Sequence, residues 1–223
     1  MSTRKIILLS GGMDSIAAFK KAYYQRDIPS ADTFRAFHVE YSNSLHSQPQ
    51  KECVRRVMHE FPEVDLFIQK TESLHIKHPI DACEKAMITF GTGNFLEGEI
   101  KEEYPDELEI IVGYEFEEDD TTTIDELNEA IQLIRSAYIK TGIGILPTRV
   151  TSPIADMDKT AILASIGSTL YWSCNTPNIK GQYTFTPCGT CDSCTQLEKY
   201  GIIHNDVTPY HSLLATKWGA GWI

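Results

Sequence analysis

Two groups of residues in this chain have the types and spacing to do chemistry. The first is Ser10-Gly11-Gly12-Met13-Asp14-Ser15, directly after the aliphatic run Lys5-Ile-Ile-Leu-Leu9. Glycines let the chain turn sharply and let an anion reach the backbone. The N–H groups at a helix start, with the macrodipole behind them, then hold it. Ser10 and Ser15 add hydroxyl donors. Asp14, an acid beside an anion site, is expected to cap the helix or to face a magnesium ion. Two commoner nucleotide loops are absent: no Gly-Lys occurs anywhere in the chain, and no Gly-x-Gly-x-x-Gly follows the first strand.

The second group is Cys174, Cys188, Cys191 and Cys194, spaced C-x13-C-x2-C-x2-C. Four thiolates suit a closed tetrahedral zinc site, and the metal then contributes folding energy to a segment without its own core. Gly189 allows the tight knuckle of such loops. Iron–sulfur ligation is the alternative, because consecutive C-x2-C spacings also serve ferredoxins; the upstream fourth cysteine and the lack of a Cys-Pro speak for zinc. Cys53 and Cys83 stand alone in helix-like segments and read as small buried hydrophobes.

The elements that position these groups follow from periodicity. Short aliphatic runs at 5–9, 34–41, 64–69, 108–112 and 143–150 read as strands. Helical spacing covers 14–25, a segment ending near Phe61-Pro62, then 81–90, 125–140 and 156–168. This alternation predicts an α/β fold, a Rossmann-like parallel sheet with helices on both faces and its ligand at the carboxyl ends of the strands. Residues 1–168 form the expected α/β domain, and 169–223 a C-terminal zinc-binding segment, built on the four cysteines, and a tail. No apolar run approaches the roughly 18–20 residues that span a bilayer, and Met1 to Leu9 does not read as a signal peptide. The expectation is a cytoplasmic protein with reduced thiols.

Ser-Gly-Gly-x-Asp-Ser resembles the PP-loop of the ATP-pyrophosphatase superfamily, which includes GMP synthetase, tRNA thiolases and 7-cyano-7-deazaguanine synthase. Trp172-Ser173-Cys174, followed by Cys188-Gly-Thr-Cys191-Asp-Ser-Cys194, resembles the deazaguanine nitrile synthases among them. So do Thr151-Ser-Pro-Ile154 with Asp158-Lys159-Thr160, Ile111-Val112-Gly113 with the acidic loop Glu117 to Asp120, and Leu127 to Ala130. The resemblance covers about residues 4 to 202. The sequence departs from that family at Glu40-Tyr41-Ser42-Asn43, where it typically has Asp-Tyr-Gly-Gln, and at Pro79 to Glu84, where it has an Arg-Asn pair. The spacer after Cys174 is also longer.

The resemblance implies an adenine nucleotide alpha hydrolase-like fold, ATP and magnesium as cofactors, structural zinc, and a homodimer. ATP would be held by Leu8, Leu9, Ser10, Gly11, Gly12, Met13, Asp14 and Ser15 with Glu40, and Asp14, Ser15 and Lys159 would serve catalysis. Tyr41, Gly113, Glu117 and Asp120 would face the acceptor. The implied reaction adenylates a 7-carboxy-7-deazaguanine carboxylate and couples it to ammonia, giving the amide and then the nitrile. Because the departures fall at strand ends, a second acceptor stays open: another amine, such as one on a protein, ending at an amide. A tRNA-thiolase-like enzyme or an inactive nucleotide-binding regulator are further alternatives. The net charge of −11 speaks against a nucleic-acid partner, which would call for a basic face. His38 reads as a satisfied interior histidine or a nucleotide contact, and Lys159 as a phosphate neutraliser or a solvated helix residue.

Overall fold

The computed structural model describes residues 3–25, 34–41, 45, 47–71, 107–114, 125, 128–129, 132, 148–181 and 183–208. Strands β1 (Thr3–Leu8), β2 (Phe34–Tyr41), β3 (Asp65–Thr71), β4 (Glu107–Ile111) and β5 (Thr148–Thr151) form one sheet in the order β3-β2-β1-β4-β5. Every pairing is parallel. The chain lays down β1, β2 and β3 in one direction and resumes with β4 on the other side of β1. The carboxyl ends of β1 and β4 therefore flank the point where strand order reverses, the place where open α/β sheets bind ligands.

Burial on both faces explains why these strands read as aliphatic runs without alternation. Ile7, Leu9, Phe34, Ala36 and Ile111 join one cluster with Ile16 and Phe19 of α1 (Met13–Tyr24) and Val54 and Val57 of α2 (Ser47–Glu60). Ile162 and Ile166 of α3 (Lys159–Ile166) complete it. Phe61, just past α2, packs edge-on against Phe19 and Tyr23 at 5.1 and 4.6 Å between ring centres. On the second face Ile6, Phe37 and Leu108, and Ile110, Val112 and Val150, make two smaller clusters. The expected α/β, Rossmann-like parallel sheet is thus the observed fold. The helices expected at 81–90 and 125–140, and Cys83, lie outside the described residues, except that Asp125, Asn128, Glu129 and Gln132 are helical.

The helix expected at 156–168 is shorter at both ends. Asp158 accepts the Ala161 N–H at 2.7 Å and starts α3, so Asp156 and Met157 lie in the preceding turn. Gly167, at φ +62, ends it in a conformation that favours glycine. Beyond residue 168 the sequence shows no strand–helix pattern, and the structure has short elements there. A hairpin of β6 (Asn178–Lys180) and β7 (Thr184–Thr186) precedes α4 (Asp192–Lys199). Tyr171, Trp172, Cys174, Phe185, Cys194, Leu197 and Val207 are buried in the same cluster as α1 and the sheet. Among the described residues no helix is long and apolar enough to cross a membrane.

Candidate functional site

The loop from Ser10 to Ser15 leaves β1 at the strand-order reversal and runs into α1. Gly11 sits at φ +89, and a Cβ there would come 2.4 Å from the Gln50 carbonyl oxygen, so only glycine allows α2 to lie this close. Gly12 is the N-cap of α1 and offers no side-chain cap, which leaves the helix start open to an outside acceptor. A closed ring of hydrogen bonds shapes the turn. Ser10 Oγ donates to Ser15 Oγ at 3.0 Å, Ser15 Oγ donates to the Gly12 carbonyl at 3.0 Å, and Gly12 N–H donates to Ser10 Oγ at 3.3 Å. Ser10 is exposed, whereas Ser15 and Met13 are buried. Leu8 is half-buried at the end of β1, and Leu9 is buried with its N–H on the Phe37 carbonyl.

Lys159 reaches this loop across 145 residues of sequence, its Nζ 3.0 Å from both carboxylate oxygens of Asp14. Its side chain is only 6% exposed, which removes the solvated-helix reading. Lys159 is the first residue of α3, where the macrodipole disfavours a cation. A buried cation against its own helix field needs an anionic partner, and Asp14 is that partner here. The pair holds Lys159 Nζ at the loop, against the second residue of α1.

At the carboxyl end of β2, Glu40 is buried and its Oε1 accepts from Lys51 of α2 at 2.5 Å. His38 is also buried, with Nδ1 2.8 Å from the Leu9 carbonyl. That contact requires the proton on Nδ1 in the neutral ring, and Nε2 has no hydrogen-bond partner among the described residues. Burial holds the His38 pKa below its ordinary value, against the opposing pull of the Leu9 carbonyl and of Glu40. His38 is therefore satisfied at one nitrogen. Tyr41 ends β2, paired in register with Thr71. Gly113 follows β4, and a Cβ there would lie 2.5 Å from the Ser15 nitrogen, so the absent side chain lets β4 meet the start of α1. Glu117 and Asp120 lie outside the described residues.

The four cysteines come together. The sulfurs of Cys174, Cys188, Cys191 and Cys194 all lie within 4.8 Å of one another, Cys174 and Cys194 buried and the other two half-buried. Cys188 Sγ accepts from Thr176 Oγ1 at 3.2 Å, Cys191 N–H at 3.2 Å and Thr190 N–H at 3.4 Å. These donors draw its thiol down to about 5, the Thr176 hydroxyl most strongly. Burial instead pushes the Cys174 and Cys194 thiols up. Four convergent sulfurs, with N–H and O–H groups aimed at one of them, fit a single bound metal ion and a preformed outer shell.

The two residues before Cys174 also belong to the site, although their types and spacing assign them no role. Trp172 N–H donates to the Gly11 carbonyl at 2.9 Å, and Ser173 Oγ lies 3.5 Å from Met13 N, the first N–H of α1. They thus run along the Ser10–Ser15 loop. The sequence signal is the Trp172-Ser173-Cys174 string, which belongs to the resemblance, but nothing in spacing relates position 173 to position 13.

No family model matches the chain, and no curated protein matches it. Among solved structures, the U34-tRNA thiolase NcsA from Methanococcus maripaludis, determined with its [4Fe-4S] cluster, is similar to 89% of this chain and 67% of its own. The TM-score is 0.47 and the sequence identity 16%.

Proposed function

We propose that the chain is an ATP-dependent enzyme of PP-loop type that adenylates a carboxylate and passes it to nitrogen. The observation that carries this reading is the Ser10–Ser15 loop at the strand-order reversal, its helix start uncapped by Gly12 and the buried Lys159 beside it. In this reading the N–H groups at the start of α1 and the Ser10 hydroxyl hold the β- and γ-phosphates. Lys159, released in part from Asp14, neutralises the charge that builds on the leaving pyrophosphate. Asp14 orients Lys159 and offers its carboxylate to magnesium, which would supply further charge neutralisation. An acceptor carboxylate oxygen bonds to the α-phosphorus as the bond to the bridging β-oxygen breaks. No nucleophilic side chain is needed, because positioning and electrostatics suffice.

The acceptor in this reading is 7-carboxy-7-deazaguanine, and the residues that the resemblance assigns to it are Tyr41, Gly113, Glu117 and Asp120. Ammonia displaces AMP to give the amide, and a second adenylation, on the amide oxygen, lets that oxygen leave with AMP as the carbon–nitrogen triple bond forms to give the nitrile. The four cysteines hold one structural zinc. With Zn–S bonds of about 2.3 Å a tetrahedral site has sulfur–sulfur edges of about 3.8 Å, near the span seen here. A cubane cluster interposes iron and sulfide and spreads the thiolates farther apart. Homodimer assembly rests on the resemblance to the nitrile synthases, and the cytoplasmic location is the expectation drawn from the sequence.

The test is direct. The protein is incubated with magnesium, ATP and 7-carboxy-7-deazaguanine, with and without ammonium, and products are followed by mass spectrometry. Nitrile, AMP and pyrophosphate are expected. Amide or adenylate accumulating without nitrile moves the acceptor nitrogen to another amine, including one on a protein. ATP left untouched overturns the enzyme reading. Metal analysis is expected to return one zinc per chain, and iron with inorganic sulfide overturns that assignment.

A further inference from the structure

We propose that Trp172 and Ser173 make the cysteine centre part of the nucleotide site, so that metal bound at the four sulfurs sets the affinity of the Ser10–Ser15 loop for a triphosphate. The inference rests on reading that loop as the nucleotide site, and it adds Ser173 as a positioning residue. Trp172 is fully buried and ties the loop to the ligand cysteine in two directions. Its main-chain N–H donates to the Gly11 carbonyl at 2.9 Å, and its indole N–H donates to the Cys174 carbonyl at 2.9 Å. Cys174 Sγ in turn accepts the Cys188 N–H at 3.3 Å, so the ligand loop and the strip beside the nucleotide loop share one residue.

Ser173 sits at the other end of the connection. Its hydroxyl is 3.5 Å from Met13 N, and a Cβ on Gly12 would lie 3.7 Å from the Trp172 carbonyl oxygen and 3.8 Å from Ser173 Oγ. The strip therefore packs directly on the glycines. A contact of 3.5 Å is long for a hydrogen bond, and an anionic oxygen makes a shorter and stronger one to the same N–H. A hydroxyl both accepts and donates. When a phosphate oxygen takes the Met13 N–H, Ser173 turns from acceptor to donor toward that oxygen. Metal binding fixes Cys174, and through Trp172 it fixes the Gly11 carbonyl and the Ser173 hydroxyl. Without metal the loop must be ordered at the expense of nucleotide binding.

Linkage makes the coupling reciprocal: if metal tightens nucleotide binding by some factor, nucleotide tightens metal binding by the same factor. The test uses the full chain, a non-hydrolysable ATP analogue with magnesium, and a competing chelator. Metal-stripped protein is expected to bind the analogue about 10-fold more weakly than the metal-loaded form. Saturating analogue is expected to raise metal retention against the chelator by the same factor. Metal-loaded Ser173→Ala, with its metal content and circular dichroism unchanged, is expected to bind several-fold more weakly and to lose that retention effect. Ser173→Thr, which keeps the hydroxyl, is expected to restore both. The loaded Ser173→Ala chain carries the test even if stripping unfolds the protein. Analogue binding by the loaded wild type, with Ser173→Ala equal to it in affinity and metal retention, overturns this inference alone. No analogue binding by the loaded wild type overturns the nucleotide reading together with it.

Discussion

Asp14 and Lys159 differ in what their loss leaves behind. Lys159 is 6% exposed on its side chain and Asp14 is 31% exposed, so the lysine depends more on its partner than the reverse. Asp14→Asn removes the carboxylate that Lys159 Nζ meets at 3.0 Å, at the helix end where the dipole disfavours a cation. It is expected to cost roughly 2 kcal/mol, below the roughly 3–5 kcal/mol seen for fully buried pairs because water reaches Asp14. Lys159→Met leaves a carboxylate that solvent can serve, and is expected to cost clearly less stability while abolishing pyrophosphate release. Denaturant titration of the two variants reads the asymmetry, and equal losses would contradict it. Gly113 makes a second residue-scale case. A methyl at that position meets the backbone of Asp14 and Ser15 at 2.5 to 2.6 Å, and backbone cannot rotate away as a flexible side chain can. Gly113→Ala is expected to destabilise by about 1–3 kcal/mol in thermal melts and to weaken nucleotide binding by displacing the start of α1.

Among the elements, β2 carries a pH dependence. Burial holds the folded pKa of His38 below its ordinary 6.5. Below pH 6.5 the unfolded chain takes up a proton that the folded chain refuses. Stability therefore falls as pH drops through that window and levels off below the folded value. His204, lowered by burial as well, acts in the same direction. Denaturation midpoints are expected to fall between about pH 7 and about pH 5, and His38→Gln is expected to flatten that slope in part; parallel slopes would remove His38 from the account. The strands were legible in the sequence because burial on two faces leaves aliphatic runs such as Lys5 to Leu9 and Leu108 to Val112. The buried Glu109 inside β4 did not spoil that signal. Its partners Thr151 Oγ1 at 2.8 Å, Arg149 at 3.2 Å and Lys5 at 3.7 Å come from other segments, and no local pattern shows them. The same holds for Lys159, which looks like any solvated lysine at a helix start until α1 and α3 pack together. The hairpin of β6 and β7 left no trace, since three-residue strands are too short to show a period. The glycine loop and the cysteine spacing were readable because their chemistry is local.

At the scale of the whole molecule, one buried cluster joins Ile7, Phe19 and Ile162 of the α/β unit to Trp172, Cys174, Cys194 and Leu197 around the cysteine centre. Lys20 of α1 strengthens the junction, donating to the Ile166 carbonyl at 3.2 Å and to the Thr169 hydroxyl, and pairing with Glu60 at 3.3 Å. A metal that stabilises the cysteine loops must then stabilise the sheet as well, because neither set of side chains keeps its packing without the other. Unfolding is expected to be one transition with metal and one transition without it. The shift between them is expected to be about 4 kcal/mol when free metal exceeds its dissociation constant by about 1,000-fold. Far-ultraviolet circular dichroism follows the helices and near-ultraviolet circular dichroism follows buried aromatics such as Trp172. The two melts are expected to superimpose in either state, and Cys191→Ser is expected to reproduce the metal-free curve. A core divided near residue 168 would behave differently. Chelation would then create an early step in the near-ultraviolet signal while the helical signal kept its original midpoint, and that outcome would separate the cysteine centre energetically from the sheet that carries the loop.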